Sequence, residues 1–203
     1  MNTLGEAYES SGVLEVPSMK VFIQNEAGSF AKNIYDEETL TFTGTARVSR
    51  AYPLPYGFIL NTTGDDGLNV DCFVLTKTSL HTGKIVECDA VGLMEQIEDG
   101  KEDHKVLAVI RGEEERLDNK TKQELIEFVS HVFDHVAGKT VLAGNFRAQR
   151  ICHRLHQAAQ RSRPHGRRSN GVNEFSSSNK SGAKHLLLHS KLVRRAGLRA
   201  TTK

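Results

Sequence analysis

The feature that most constrains this chain is the punctuation between residues 19 and 110. There it runs as short apolar segments separated by Gly, Pro, Asn and Asp. "MKVFIQNEAG" ends in a Gly turn, and "LTFTGTARVSRAY" alternates Thr with apolar residues. "PLPYGFILNTTGDDG" is bracketed by Pro and Gly, and the β-rich runs "VDCFVLT", "KIVECDAVGLM" and "KVLAVI" follow. Runs this short, with turns at such regular spacing, predict a small barrel or a curled antiparallel sheet.

A helix is expected next. "TKQELIEFVSHVFDHVAGK" sets Leu125, Val129, Val132 and Val136 on one stripe, with Thr121 and Glu124 as a capping box and Gly138 as the stop. A second helix is expected near 146–160, where Ala148, Ile151, Leu155 and Ala158 recur at helical spacing. Beyond Arg161 periodicity is lost in an Arg-, Ser-, Asn- and Gly-rich stretch that reads as disordered. The organisation expected is an N-terminal extension (1–18), a folded domain (19–160) and a basic tail (161–203).

Charge divides the chain in the same place. Residues 1–142 hold 13 Lys and Arg against 24 Asp and Glu, a net of −11. Residues 143–203 hold 14 against 1, a net of +13, which restores the overall +2. Such a tail attracts polyanions by counterion release. It has one aromatic residue, Phe175, and no nucleic-acid module, so a nucleic-acid partner is not expected. No run of about 18 apolar residues is present, so no membrane span or membrane partner is expected. The polar, acidic start "MNTLGEAYES" is unlike a secretory leader, which makes the cytoplasm the expected location. Cys72, Cys88 and Cys152 form no CxxC and read as reduced, mostly buried thiols.

Acidic residues gather at two turns of the β region. Asp65, Asp66 and Asp71 surround Gly67. Glu98, Asp99, Glu102 and Asp103 surround Gly100 and are followed by Lys105. Either turn alone is ordinary surface chemistry; together, at strand ends, they suit a shared Mg²⁺, which takes a few carboxylates plus waters and substrate phosphates. "AYPLPYGFI" adds Tyr52 and Tyr56, stiffened by two prolines, as hydrogen-bond donors to phosphate or as a core pair on a rigid turn.

"YPLPYGFI", "DDGLNVDCFVL" and "VGLMEQIEDGKEDHKVLAV" resemble, in order and spacing, the soluble family I inorganic pyrophosphatases. That family carries Y-P-x-x-Y-G-F-I, then the signature D-G-D-P-L-D, then an acidic loop ending D-x-K before a strand. "FVSHVFDHVAGK" resembles its penultimate helix, and the resemblance covers about residues 19–160. It implies an α+β, mainly β fold: a five-stranded closed or partly open antiparallel barrel, OB-like, with flanking helices. It also implies a Mg²⁺-dependent, homo-oligomeric enzyme that hydrolyses inorganic diphosphate to two phosphates. By position, Asp66, Asp71 and Asp103 match the metal carboxylates, Glu98 stands for a metal-ligating Asp, and Asp99 matches a supporting acid. Lys32, Tyr56 and Lys105 match phosphate contacts, and Arg47 is preferred over Arg50 for the phosphate arginine. Tyr56, Lys105 and Asp71 are the expected catalytic residues.

The departures from that pattern bear on chemistry. Leu68 occupies the place of the central signature Asp, which in the family is thought to accept a proton from the attacking water. Asn69 replaces the proline, and Gln24 and Ile34 stand where glutamates are expected. Val132 and Phe133 align with the Tyr-Lys pair that holds the leaving phosphate. The resemblance therefore keeps the metal core and lacks the base and part of the phosphate clamp. Outside it, His131 and His135 lie four apart without H-E-x-x-H and read as helix-face histidines. His81 and His104 read as solvated turn residues, and "EEER" at 113–116 as a charged loop.

Overall fold

The computed structural model describes residues 18–148. Strand β1 (Met19–Asn25) is buried on both faces except at Lys20. It pairs antiparallel with β4 (Tyr56–Ile59) on one side and with β6 (Ile85–Glu98) on the other. β4 pairs with β5 (Val70–Leu75), β5 with β8 (Lys105–Ile110), and β8 with β6. These five strands therefore close a ring of pairings, as the sequence pattern predicts. One pairing departs from the expected antiparallel scheme. β5 and β8 run parallel, because β6 is interposed between them in the chain and β8 re-enters in the direction of β5.

Side-chain alternation along these strands sorts the core into two. Cys72 and Val74 of β5 and Val106 and Ala108 of β8 join a cluster fed by all five ring strands. Phe73, Leu75, Leu107 and Val109 point the other way, into a second cluster with Leu125, Phe128 and Val129 of helix α1 (Asn119–His131). Asp71 and Lys105 share the parity of Phe73 and Leu107. The register Cys72↔Val106 sets them side by side on the helix-covered face.

β2 (Ala31–Asp36) and β3 (Thr41–Arg47) form a separate two-stranded ribbon. Phe22, Tyr35 and Phe58 pack it to the ring, with Phe22 and Tyr35 edge to face at 4.9 Å. The β1–β4 contact is close at Gly57, where a Cβ would lie 1.8 Å from the carbonyl oxygen of Phe22.

The helix starts and ends earlier than its pattern suggests. Asp118, not Thr121, is the N-cap; its side chain accepts a 2.7 Å hydrogen bond from the Thr121 N–H. Regular helix ends at His131, and Gly138 (φ +79°) lies in the turn beyond it. Val132 and Phe133 still bury against the second cluster.

The second helix expected near 146–160 is not formed at its start. β9 (Val141–Ala148) pairs with β6 from Glu98↔Val141 to Gly92↔Ala148. Its Gly144 lies so close to Glu95 that a Cβ would sit 2.8 Å from that residue's Cβ. The rest of that expected helix, most of the N-terminal extension, Cys152 and the basic tail lie outside the described residues. Among the described residues, no helix is long and apolar enough to cross a membrane.

Candidate active site

The charged pocket forms where β5, β6 and β8 meet the C-terminal end of α1. Its floor is Lys105, which is 4% exposed. Lys105 Nζ lies 2.6 Å from Asp71 Oδ2 and 2.6 Å from Asp103 Oδ2. Asp71 is 3% exposed and Asp103 half-buried. Two carboxylates held this near each other and this far from water need a compensating positive charge, and the ammonium supplies it.

Gln96 of β6 joins this group. Its Nε2 donates to Asp103 Oδ2 at 3.2 Å and approaches Glu98 Oε2 at 3.5 Å. Glu98 Oε1 accepts from Lys139 Nζ at 2.5 Å, and Lys139 also binds Asp99 Oδ2 at 3.0 Å. Burial alone would lower the Lys139 pKa, but the hydrogen bonds to Glu98 and Asp99 outweigh it and hold the ammonium above its ordinary value. Asp99 is pinned in turn. Its Oδ1 accepts the Thr140 N–H at 3.0 Å, which with the Lys139 contact keeps its carboxyl below the usual range. Asp99 and Gly100 both have positive φ (50° and 77°), the backbone of a two-residue hairpin turn between β6 and β7 (Lys101–Glu102).

The opposite wall is apolar. Tyr56, Phe73, Phe128, Val132 and Phe133 line it, with Tyr52 beneath. Tyr52 packs on Phe128 at 4.7 Å and on Tyr56 at 5.4 Å. Burial first, then the charges of Asp71 and Glu98, push the Tyr52 hydroxyl well above its ordinary pKa, so it stays a neutral donor. Lys32 of β2 reaches over the rim, with Nζ 4.9 Å from the Phe133 ring centroid; Lys139 Nζ lies 5.3 Å from the same ring.

The structure thus brings Lys32, Tyr56, Glu98, Asp103 and Lys105 to one pocket, with Asp71 behind Lys105. It does not bring the others there. Arg47, at the end of β3, is exposed and outside the lining, as is Arg50. Asp66 is exposed, and its Oδ1 accepts the Leu68 N–H at 2.9 Å. Leu68 itself is 4% exposed in the turn closed by Gly64 N–H to Leu68 O at 2.7 Å. Gln24 is buried, and Ile34 packs on Ala46.

Among the described residues, no three His, Cys, Asp or Glu side chains stand close enough to hold a metal ion by themselves. The meeting of Asp66, Asp71, Asp103 and Glu98 around a single point is therefore not formed here. Lys105 lies between Asp71 and Asp103, and Asp66 is turned to its own backbone. The hard-oxygen groups that do gather are Asp103 and Glu98, joined by the Gln96 side-chain amide, with Asp71 behind Lys105. That set fits a Mg²⁺ that completes its shell with waters and phosphate oxygens.

Gln96 and Lys139 are the site residues that sequence reasoning missed. Gln96 had a legible signal, an amide on the parity of the apolar Met94 and two residues before Glu98. Lys139 had none, since it reaches Glu98 across 41 residues of chain. The two histidines do not share a helix face, since the helix ends at His131 and His135 lies beyond it. His135 Nδ1 lies 2.7 Å from Ser49 Oγ, and His131 contacts Asp134 and Glu127. His81 is exposed as expected, but His104 is not simply solvated: its Nδ1 lies 3.2 Å from the Gln96 backbone N–H, which it accepts. Cys72 and Cys88 are buried thiols, and burial pushes the Cys88 thiol up to about 12.

Fold and pocket together define a ringed β domain with an acid-lysine pocket capped by one helix. Residues 18–145 match the family model described as inorganic pyrophosphatase. The chain belongs to that family. It is 37% identical over 94 residues to the inorganic pyrophosphatase of Thermoplasma volcanium, covering 45% of this chain and about half, 56%, of that relative's length. With the inorganic pyrophosphatase of Sulfolobus acidocaldarius it shares 28% identity over 61% of this chain and 78% of the relative. The crystal structure of inorganic pyrophosphatase from Thermus thermophilus matches with TM-score 0.65 and 27% identity, over 72% of this chain and 92% of that one. A structure of an inorganic pyrophosphatase from Coxiella burnetii, 24% identical with TM-score 0.66, shares the fold over 71% of this chain and 94% of that one.

Proposed function

We propose that this chain hydrolyses inorganic diphosphate to two phosphates in a Mg²⁺-dependent reaction, at a rate limited by the loss of the acid at position 68. The observation that carries this reading is the Asp71–Lys105–Asp103 group, buried at Asp71 and Lys105 and opening through Asp103 onto a pocket rimmed by Lys32 and Tyr56. Asp71, Asp103 and Glu98 are the residues that would hold the cation, with Asp66 at the mouth of the β4–β5 turn. Bound Mg²⁺ supplies charge neutralisation and a more acidic water.

The chain's own groups do the rest. Lys105 and Lys32 offer ammonium charge to the phosphoryl oxygens, and Tyr56 offers a hydroxyl. The water oxygen bonds to one phosphorus as the bridging P–O bond breaks. The bridging oxygen leaves on the second phosphate, and the water proton passes to solvent or to that phosphate. Leu68 has no atom that accepts this proton, and a positioned base is worth about 10²–10⁴-fold. The proposal includes a catalytic unit over 19–160, self-association into a homo-oligomer and residence in the cytoplasm.

A second reading is favoured by the apolar wall of Val132 and Phe133, both buried, at the positions that the family resemblance gives to the clamp of the leaving phosphate. In that reading the chain is a non-catalytic homologue that binds Mg²⁺-phosphate ligands or serves as a subunit. Phosphate release from diphosphate in Mg²⁺, against a chelator control, separates them. Turnover supports the first reading, and diphosphate binding by calorimetry without turnover supports the second.

A further inference from the structure

The Gln96 side chain is 3% exposed, and its carbonyl oxygen is buried with no hydrogen-bond partner. The orientation of the amide is set by its neighbours. Nε2 faces Asp103 Oδ2 at 3.2 Å and Glu98 Oε2 at 3.5 Å, both acceptors, so the carbonyl is forced to the other side. An unpaired buried carbonyl costs stability, and a methionine of similar shape would avoid that cost. The placement is thus unfavourable for the empty fold, at a position in contact with two carboxylates of the pocket.

We propose that Gln96 is a neutral oxygen ligand of the divalent cation held by Asp103 and Glu98, reached by a half-turn of its amide. Without the cation, Nε2 is the correct end to present to two carboxylates. With a cation between them, an N–H donor in that place is repelled, and rotation about the last side-chain bond exchanges it for the carbonyl oxygen. The same half-turn gives the carbonyl a partner and moves Nε2 into the place the carbonyl leaves. A hard oxygen donor with no charge suits Mg²⁺, which binds few carboxylates and accepts neutral oxygens. This inference rests on the reading of the pocket as a cation site, and it does not require that diphosphate be turned over.

The test is calorimetric titration of the full chain with Mg²⁺ alone, for the parent, Gln96→Met and Gln96→Glu. Gln96→Met is expected to weaken Mg²⁺ binding about 10- to 100-fold while leaving the cation-free melting temperature equal or higher. Gln96→Glu is expected to tighten Mg²⁺ binding, because a third carboxylate is repelled by Asp103 and Glu98 until the cation arrives. A structural role for Gln96 does not produce opposite shifts from these two variants. Gln96→Met binding Mg²⁺ as tightly as the parent overturns the proposal, as does a parent that binds no Mg²⁺. A parent that binds Mg²⁺ but releases no phosphate from diphosphate overturns the hydrolase reading instead and leaves the isotherms to decide on Gln96.

Discussion

Lys105 Nζ and Asp71 Oδ2 lie 2.6 Å apart with both side chains buried, so each is the condition for the other's charge. Removing the ammonium alone leaves Asp71 without compensation in a region shut off from water. Lys105→Met is therefore expected to cost about 3–5 kcal/mol of stability, read as a lower urea midpoint. Added Mg²⁺ should recover part of the loss, since a dication can take over the same carboxylates. An unchanged midpoint would show that the pair is not buried as described.

The β1–β4 seam gives a sharper steric test. Gly57 faces the Phe22 carbonyl so closely that any Cβ overlaps backbone, which cannot swing aside as a side chain can. Gly57→Ala is expected to lose at least about 3 kcal/mol by chemical denaturation. A near-neutral substitution would mean that β1 and β4 are not in the register Ile23↔Gly57.

Asp99 gives a pH dependence of defined sign. Its folded pKa is depressed, chiefly by the Thr140 N–H and then by Lys139. Its contribution to stability is present above the ordinary carboxylate pKa and is lost as pH falls through the lower, folded value. Asp99→Asn tolerates the same positive φ but removes the charge. The melting-temperature advantage of the parent over Asp99→Asn should hold at neutral pH and shrink below about pH 4. An advantage that grows on acidification contradicts the assignment.

Much of this architecture is written locally. The runs at 19–25, 56–59, 70–75 and 105–110 announce themselves by β-branched residues and turns. β9 does not, because "VLAGNFRA" has no clean alternation and becomes a strand by pairing along β6. β2 is equally quiet and depends on the ribbon partner β3. The helix stripe was legible, but its cap was not: Asp118 and Thr121 are both good cap residues, and tertiary placement decided between them. Within the pocket, Lys105 and Asp103 follow from a short motif. Their meeting with Asp71 follows from the parallel register of β5 and β8, which no local pattern encodes.

Leu68 carries the central test. The residue is buried and apolar in the turn that carries Asp66 and leads to Asp71, at the position where the family resemblance implies a proton acceptor. Replacing it with Asp removes apolar burial worth about 2 kcal/mol, so a lower melting temperature is expected. The decisive measurement is steady-state phosphate release from diphosphate in Mg²⁺ by the parent, Leu68→Asp and Leu68→Asn. Leu68→Asp is expected to exceed the parent by up to about 10²–10⁴-fold. Leu68→Asn, which can hydrogen-bond water but cannot take its proton, should stay near the parent. A folded, Mg²⁺-binding Leu68→Asp chain that hydrolyses diphosphate no faster than the parent contradicts a missing base at position 68.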